Sequence, residues 1–471
     1  MQVETNKKRV TELLADGSWH SADSILTGLK LPVGAKRKVS NLIREITGPV
    51  PKSLAEVVDA GFEPLNSVVL PQLQTWLQRK RLRAYIVSIV PEDILILTSF
   101  RGQVRLKQLD SSTPLHISSA LNELEGTGVL IPNGLTQELL RDYQPQNDYE
   151  VLDLAHRPLP FSAPKAAIAT PRASMGHLEE LERESLYIIR EAIASAERPA
   201  MLFSLGKDSM VMLRLAEKAF APEPLPFPLV NIDTRWKFQE MNRFRDWLKT
   251  RGDLNFIHYV NPDAITKDVN PFDNGSAEHT EITKTQALKR VLDEHRFDFV
   301  FGGARRDEEK SRAKERIFSV REAQYSWNPK NQRPELWDTY NTLLTGEQSM
   351  RVFPLSNWTE LDIWRYLEIE NVPLVPLYFS KRRPFVVRNG ALIMVDDDRF
   401  RLGEGEEIYF EEIRFRSLGC YPLSGGVKSR ATSLTDIVKE LERTRVSERS
   451  SRVIDFDRGA SMEQKKKDGY F

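Results

Sequence analysis

Apolar positions recur along this chain with two periods, and the change of period marks its organisation. Within residues 1–47 they fall at helical spacing in three short pieces. Val10, Leu13 and Leu14 share a face with Lys8, and Gly17 stops the first helix. The third piece is basic at Lys36, Arg37 and Lys38. Three short helices predict a helix-turn-helix or winged-helix unit over 1–50. A small helical bundle with a solvated basic face fits the same spacing. Over 51–156 strand-like runs take over, at 84–90, 93–100 and 103–109, with a helix near Ser118–Gly128. This reads as an α+β extension without a catalytic motif. Its basic run Gln78–Arg83 reads as a solvated helix face rather than a nucleic-acid patch. Residues 157–176, rich in Pro and Ala and without period, read as a linker.

Beyond the linker the pattern becomes regular. His177–Glu197 predicts a long amphipathic helix, and apolar strands at 199–205, 227–233, 255–260 and 297–303 alternate with helical stretches. That rhythm predicts an α/β domain over 177–356, with a mostly parallel sheet and helices on both faces. Residues 357–471 read as helix and loop ending in a charged tail, with a helix start at Asn357-Trp358-Thr359-Glu360.

Composition narrows the classes. A chain of 471 residues holds several domains. Lys+Arg and Asp+Glu are both 67, so bulk charge gives no reason to expect nucleic acid or an acidic membrane. The single cysteine, Cys420, excludes a disulfide framework, a cysteine zinc site and a protein-ligated iron–sulfur cluster within this chain. Neither a signal peptide nor a membrane span is visible, so a soluble cytoplasmic protein is expected.

The chemistry concentrates at strand ends. The first strand after the linker runs into Ser204-Leu205-Gly206-Lys207-Asp208-Ser209 and then at once into a helical period. In parallel sheets ligands sit beyond the carboxyl ends of the strands, and a helix start favours an anion. Gly206 allows close approach, Lys207 adds a positive charge, and Ser204 and Ser209 add hydroxyls. The spacing is not that of the Walker A loop, Gly-x-x-x-x-Gly-Lys-Ser/Thr. It is the shorter loop that cradles pyrophosphate. Asp233 and Thr234 stand at the tip of the next strand, and Gly302 and Gly303 at the tip of a later one. From Arg305 to Arg316 ten of twelve residues are charged, Arg306, Lys310 and Arg312 among them. Arginines at this edge suit phosphate or sulfate. Asp307, Glu308 and Glu309 cannot all face anions, so some of them must pair with the arginines or touch Mg²⁺.

From about His177 to Phe471 the chain resembles the small, catalytic subunit of the heterodimeric bacterial sulfate adenylyltransferase (ATP sulfurylase) family. The resemblance is carried by SLGKDSMVMLRLAEKAF, LPFPLVNIDTRWKF, NPFDNGSAEHTEITKT, FGGARRDEEKSRAKERI, WNPKNQRPELW, IRFRSLGCYPL and SMEQKKKDGYF, among other stretches. It implies an adenine nucleotide α-hydrolase-like (Rossmann-like) fold. It implies ATP and Mg²⁺ as cofactors, sulfate as acceptor, and a GTPase partner subunit resembling an elongation factor. The implied roles put β- and γ-phosphates on the Ser204–Ser209 loop and Asp233 with its neighbours near the nucleotide. They put Arg305, Arg306 and Lys310 at sulfate and the α-phosphate. His279, following Gly275-Ser276 in a matching loop, is a candidate contact to nucleotide or sulfate, as is Arg312 to substrate. No residue is assigned as a protein metal ligand.

The chain departs from the family at three places. Arg235 stands where Gly is usual in Asp-Thr-Gly-Trp-Lys, Lys428 stands where Glu is usual, and some 170 residues precede the helix at which the family usually starts. Three other functions share features with the chain, the first of them poorly. A reductase of 3′-phosphoadenylylsulfate needs a nucleophilic thiolate near a flexible C-terminus, and the tail has no cysteine. A regulatory or nucleic-acid-associated protein would keep the ATP module as a sensor, with the N-terminal unit contacting DNA or a protein. An adenylyltransferase acting on another acceptor, in a modification or defence pathway, fits the same motifs.

Overall fold

The computed structural model describes residues 2–32, 35–47, 51, 56–58, 69–80, 82–100, 103–140, 143, 145–152, 154 and 175–443. The expected linker falls almost wholly outside these residues, as do the side chains of Lys36, Arg37 and Lys38 and the charged tail. The chain divides into two compact units, Met1–Pro158 with Asp397–Phe400, and Leu159–Asp396 with Arg401–Phe471.

The first unit opens with α1 (Gln2–Leu14), β1 (His20–Ser21), α2 (Ala22–Gly28) and α3 (Lys36–Thr47). Ser21 caps α2 by accepting from the Ser24 N–H. Then come α4 (Val69–Lys80), β2 (Arg83–Val90), β3 (Ile94–Ser99), β4 (Val104–Gln108), α5 (Pro114–Asn122), β5 (Gly128–Pro132), α6 (Thr136–Leu139) and β6 (Tyr149–Val151). All six strands form one sheet in the order β1-β4-β3-β2-β5-β6. It is antiparallel from β1 to β2 and parallel from β2 to β6. Alternation along β3 decides its two faces. Ile94 and Ile96 pack with Val10, Ile25, Val39 and Ile43 of the first three helices, while Leu95 and Leu97 pack with Ile117 and Leu121 of α5. Helices α1–α3, β1 and the β3–β4 hairpin thus follow winged-helix order, with α4 and β2 inserted before the hairpin.

The second unit holds α7 (Met175–Ser195), β7 (Pro199–Leu202), α8 (Lys207–Phe220), β8 (Leu229–Ile232), α9 (Gln239–Lys249), β9 (Phe256–Tyr259), α10 (Pro262–Thr266) and α11 (Gly275–Thr280). A π-helical turn, Glu281–Gln286, leads into α12 (Ala287–His295). Next are β10 (Phe299–Phe301), α13 (Lys310–Ala313), β11 (Phe318–Arg321), β12 (Ser349–Val352) and α14 (Glu360–Glu370). Thr359 and Asp362 form a capping box on α14, at the helix start read from sequence. The sheet order is β11-β12-β10-β7-β8-β9, parallel throughout except at the β11–β12 edge. Chain order reverses between β7 and β10, which opens a crevice beyond their carboxyl ends.

The unit ends with β13 (Lys381–Arg388), β14 (Ala391–Met394), β15 (Tyr409–Arg414), β16 (Gly425–Lys428) and α15 (Leu434–Arg443). The four strands close into a small barrel, where the sequence suggested helix and loop. The pattern hid these strands because charged residues point inward: Arg383 of β13 is buried on Glu240 of α9. Among the described residues no helix is long and apolar enough to cross a membrane.

Candidate active site

The turn from β7 to α8 lies at the reversal of strand order. Leu205 adopts a left-handed backbone, with φ of 67°. The Ser204 and Ser209 hydroxyls lie 2.6 Å apart, and the Ser204 N–H donates to Ser209 Oγ at 3.2 Å. A Cβ at Gly206 would stand 3.3 Å from Ser204 Oγ and 3.4 Å from the Tyr378 hydroxyl, tighter than most side chains tolerate. The Lys207 N–H donates to that hydroxyl at 2.8 Å. The Lys207 side chain is buried, with Nζ 3.2 Å from Asp208 Oδ2. From β10, the Gly302 N–H donates to Val352 O at 2.9 Å and continues the sheet. A Cβ on Gly303 would come 3.1 Å from Asp208 Cβ, so glycine lets this loop rest on the first turn of α8.

A cavity of about 280 Å³ opens at this point. Leu202, Val230, Ile232 and Leu288 supply apolar lining. Of the residues singled out from sequence, Ser204, Gly206, Lys207, Asp208, Ser209, Thr234, Gly303 and Arg312 line it. Glu308, read from sequence as a partner of the arginines or of Mg²⁺, lines it too, whereas sequence reasoning missed Lys237, Lys284, Tyr378 and Ser417-Leu418-Gly419 as lining residues. Lys237 stands three residues beyond Thr234, a spacing that carried the signal. Lys284 sits on the π-helical turn, whose departure from the α period no spacing rule anticipates. The Cys420 Sγ donates to Thr234 Oγ1 at 3.3 Å, and the Tyr421 N–H donates to Trp236 O at 2.8 Å. These contacts stitch the loop after β15 to the loop after β8.

Among the described residues, the remaining expected site residues fall outside the lining. Arg305 is 1% exposed and ion-paired with Asp208 and with Asp307. Asp307 in turn accepts from the Glu360 N–H at 2.8 Å. Arg305 is therefore a strut between the first turns of α8 and α14 rather than a cation facing the cavity. Arg306 is held by Asn357 and lies 4.0 Å from Glu335. The side chain of Lys310 lies outside the described residues.

Asp233 accepts from Arg245 Nη1 at 2.7 Å, shares a hydrogen bond with His258 Nε2 at 2.9 Å, and accepts from the Arg235 N–H at 2.8 Å. Burial opposes its charge, but the His258 and Arg235 hydrogen bonds and the Arg245 charge carry its pKa below the usual carboxylate range. It braces the loop from outside the cavity. His279, expected at nucleotide or sulfate, is fully buried where α11 turns inward. Burial, then the charges of Lys284 and Lys237, push its pKa down to about 3, with the Thr234 backbone as a weak opposing contact. At neutral pH it is an uncharged core residue.

The two substitutions relative to the expected family pattern also leave the cavity lining unchanged. Arg235 holds φ at 62°, where glycine would be unstrained, and its Nη1 donates to Ala264 O at 3.0 Å and to Asp268 Oδ1 at 3.2 Å. Lys428 is exposed on β16 and pairs with Glu411. Farther along the sheet, Arg312 lies 3.6 Å from Glu315, Glu315 pairs with Arg321, and Arg351 lies over the Tyr325 ring at 5.5 Å. Burial, then the charge of Arg321, lowers the Arg351 pKa to about 9.

A parallel sheet with this strand order, a Ser-x-Gly-Lys-Asp-Ser turn at its switch point and a cation-rich cavity define a pyrophosphate-loop nucleotide-binding protein of the α/β adenine nucleotide α-hydrolase fold. The phosphoadenosine phosphosulfate reductase domain family matches residues 198–426. Sulfate adenylyltransferase subunit 2 of Nocardia farcinica is 59% identical over 295 residues, covering 63% of this chain and 96% of that protein. The subunit 2 proteins of Pseudomonas syringae pv. syringae and Caulobacter vibrioides are 57% and 56% identical over 299 residues, covering 63% and 64% of this chain and 98% and 96% of theirs. The chain belongs to the sulfate adenylyltransferase subunit 2 family. Among solved structures, a phosphoadenylyl-sulfate reductase from Candida auris is 14% identical, with a TM-score of 0.31 over 44% of this chain and 93% of that one. Candida glabrata FMN adenylyltransferase with FMN and an ATP analogue is 16% identical, with a TM-score of 0.32 over 51% and 80%.

Proposed function

We propose that this chain transfers the adenylyl group of ATP to sulfate, giving adenosine 5′-phosphosulfate and pyrophosphate. The observation that carries this reading is the Ser204–Ser209 turn at the switch point, opening into a cavity lined by Lys207, Lys237, Lys284 and Arg312. In a subunit 2 family member, these features fit a polyphosphate meeting a second oxyanion. A sulfate oxygen attacks the α-phosphorus, the bond from that phosphorus to the bridging oxygen of the β-phosphate breaks, and pyrophosphate leaves with the electron pair. No proton changes hands, so catalysis rests on position and charge neutralisation.

The start of α8, Lys207 and the Ser204 and Ser209 hydroxyls take the β- and γ-phosphates. Gly302 and Gly303 keep the β10 loop low enough to admit them, and Thr234 faces the nucleotide across the cavity. Leu202, Val230, Ile232 and Leu288 form an apolar surface suited to adenine. Among the described residues Glu308 and Asp208 are the carboxylates lining the cavity; Lys207 and Arg305 hold Asp208, so Glu308 is the group that would hold Mg²⁺ together with phosphate. Bound there, Mg²⁺ would neutralise polyphosphate charge.

A GTPase subunit resembling an elongation factor is the proposed partner, since GTP hydrolysis could draw the unfavourable anhydride synthesis forward. The subunit 2 names of the relatives support a heteromeric assembly. The winged-helix order of the first unit supports a contact with DNA or protein there, and steep salt dependence of duplex binding is the check for DNA. The activity test is pyrophosphate release from Mg·ATP with and without sulfate, repeated with a bacterial GTPase subunit and GTP. Sulfate-dependent release is expected; ATP binding without it would sink the reading.

A further inference from the structure

If sulfate is the acceptor, its cations must be found in the cavity. Arg305 and Arg306 do not qualify, since Asp208 and Asp307 hold the first, Asn357 holds the second, and neither lines the cavity. A tetrahedral dianion calls for at least two charged donors, set apart from those on the leaving pyrophosphate.

The sheet order separates two sides of the Ser204–Ser209 turn. Gly303, Glu308 and Arg312 come from the β10 side, while Thr234 and Lys237 come from the β8 side. Lys237 is buried, and its loop is fixed by the Tyr421–Trp236 contact. Lys284 reaches the cavity from the π-helical turn, flanked by the buried Thr283 and Thr285. A π turn rotates the residues that follow it away from the α register, and such turns recur at functional sites.

Both lysines act on one small volume. Cys420 reports this: burial alone would raise its thiol pKa, but the charges of Lys284 and Lys237 and the Thr234 hydrogen bond bring it below the ordinary value. Ser417, Leu418 and Gly419 close this end, and a Cβ on Gly419 would stand 2.6 Å from Ser424 Oγ. A side chain at this position would require the Ser424 hydroxyl, which now donates to Cys420 O at 3.2 Å, to turn away.

We infer that Lys237 and Lys284, with the Thr234 hydroxyl, form the acceptor-oxyanion subsite on the β8 side of the cavity, facing the α-phosphate from the side away from the β10 loop. The assignment rests on the adenylyl-transfer reading. The lysines neutralise sulfate as it approaches an anionic phosphate; its oxygen forms the new bond to phosphorus and the leaving pyrophosphate stays with Lys207.

The test is equilibrium binding of sulfate, by calorimetry, to the full chain saturated with α,β-methylene-ATP, which cannot release pyrophosphate. The variants are Lys237→Met and Lys284→Met, with Lys284→Arg as the charge-retaining control. Each Met variant is expected to weaken sulfate binding about tenfold or more, as loss of a charge-assisted hydrogen bond does. The affinity for the analogue, which also reports folding, should stay within about twofold, and Lys284→Arg should recover part of the loss. Unchanged sulfate affinity in both Met variants would overturn the lysine assignment alone, as would a loss falling on the nucleotide instead. Wild-type chain that binds the analogue but no sulfate would overturn the adenylyl-transfer reading as well.

Discussion

Each unit of this chain is built on a six-stranded sheet with a parallel section, yet their interiors differ in charge. Among the described residues of the first unit the buried polar ones are Thr47, Ser88, Thr98, Lys107, Thr136 and Gln137, only one of them charged. Two of them are satisfied by backbone carbonyls of the same unit: Thr136 Oγ1 donates to Val87 O at 2.8 Å, and Gln137 Nε2 donates to Val58 O at 2.9 Å. The second unit buries Lys207, Lys237, Arg305, Arg312, Arg321 and Arg351 around one sheet. Burying a cation is unfavourable unless an anion answers it. In the first unit, polar groups finish a fold. In the second, carboxylates answer several of these cations, Asp208 and Asp307 at Arg305 and Glu315 at Arg321, while Lys207, Lys237 and Arg312 line the cavity.

The comparison breaks most visibly at Lys207. Lys207→Met is expected to lower pyrophosphate release about 10²- to 10³-fold, the scale for loss of a preorganised donor, while circular dichroism stays native. A rate within a few-fold of wild type would mean that the turn does not hold the leaving group.

Gly303→Val tests close approach. Its side chain would collide with Asp208, so we expect a loss of about 1–3 kcal/mol in stability and weaker nucleotide binding. Denaturant unfolding and nucleotide titration measure the two effects.

His279 sharpens the comparison through pH. Its folded pKa is depressed to about 3, below the unfolded value near 6.5, so the unfolded chain binds the extra proton. Stability from the neutral ring is full above pH 6.5 and is lost as pH falls toward 3, with a slope of about 1.4 kcal/mol per pH unit from this group. His279→Gln should flatten that slope in urea unfolding between pH 4 and 6.5. An unaltered slope would contradict a buried neutral ring.

The smallest effect belongs to the first unit. Lys107 pairs with a half-exposed Glu123 and lies 5.9 Å from the Trp19 ring. Lys107→Met should change stability by at most about 1 kcal/mol and leave nucleotide affinity unchanged. A nucleotide affinity altered several-fold would end the division of labour drawn above.

Much of the second unit was legible because period and punctuation coincide. The apolar runs ending at Leu205, Asp233, Val260 and Gly303 became β7 to β10, and the Thr359 cap marked α14. The pyrophosphate turn was legible because its residue types each answer one need of a phosphate. The direction of charged side chains was not. Nothing local distinguishes Arg305, turned to Asp208 and Asp307, from Arg312, which lines the cavity. His279 looked like a loop contact, but α11 carries it into the core. Lys284 depends on one π turn, and the barrel on inward residues such as Arg383 whose partner is 143 positions away. These are tertiary pairings, and a one-dimensional pattern does not contain them.

The cations that line the cavity, Lys207, Lys237, Lys284 and Arg312, have a practical side. If they take oxyanions as proposed, phosphate and sulfate buffers are reagents for this molecule and not background. A sample purified in either salt is then expected to melt later and to bind ATP more weakly than the same sample in a chloride buffer.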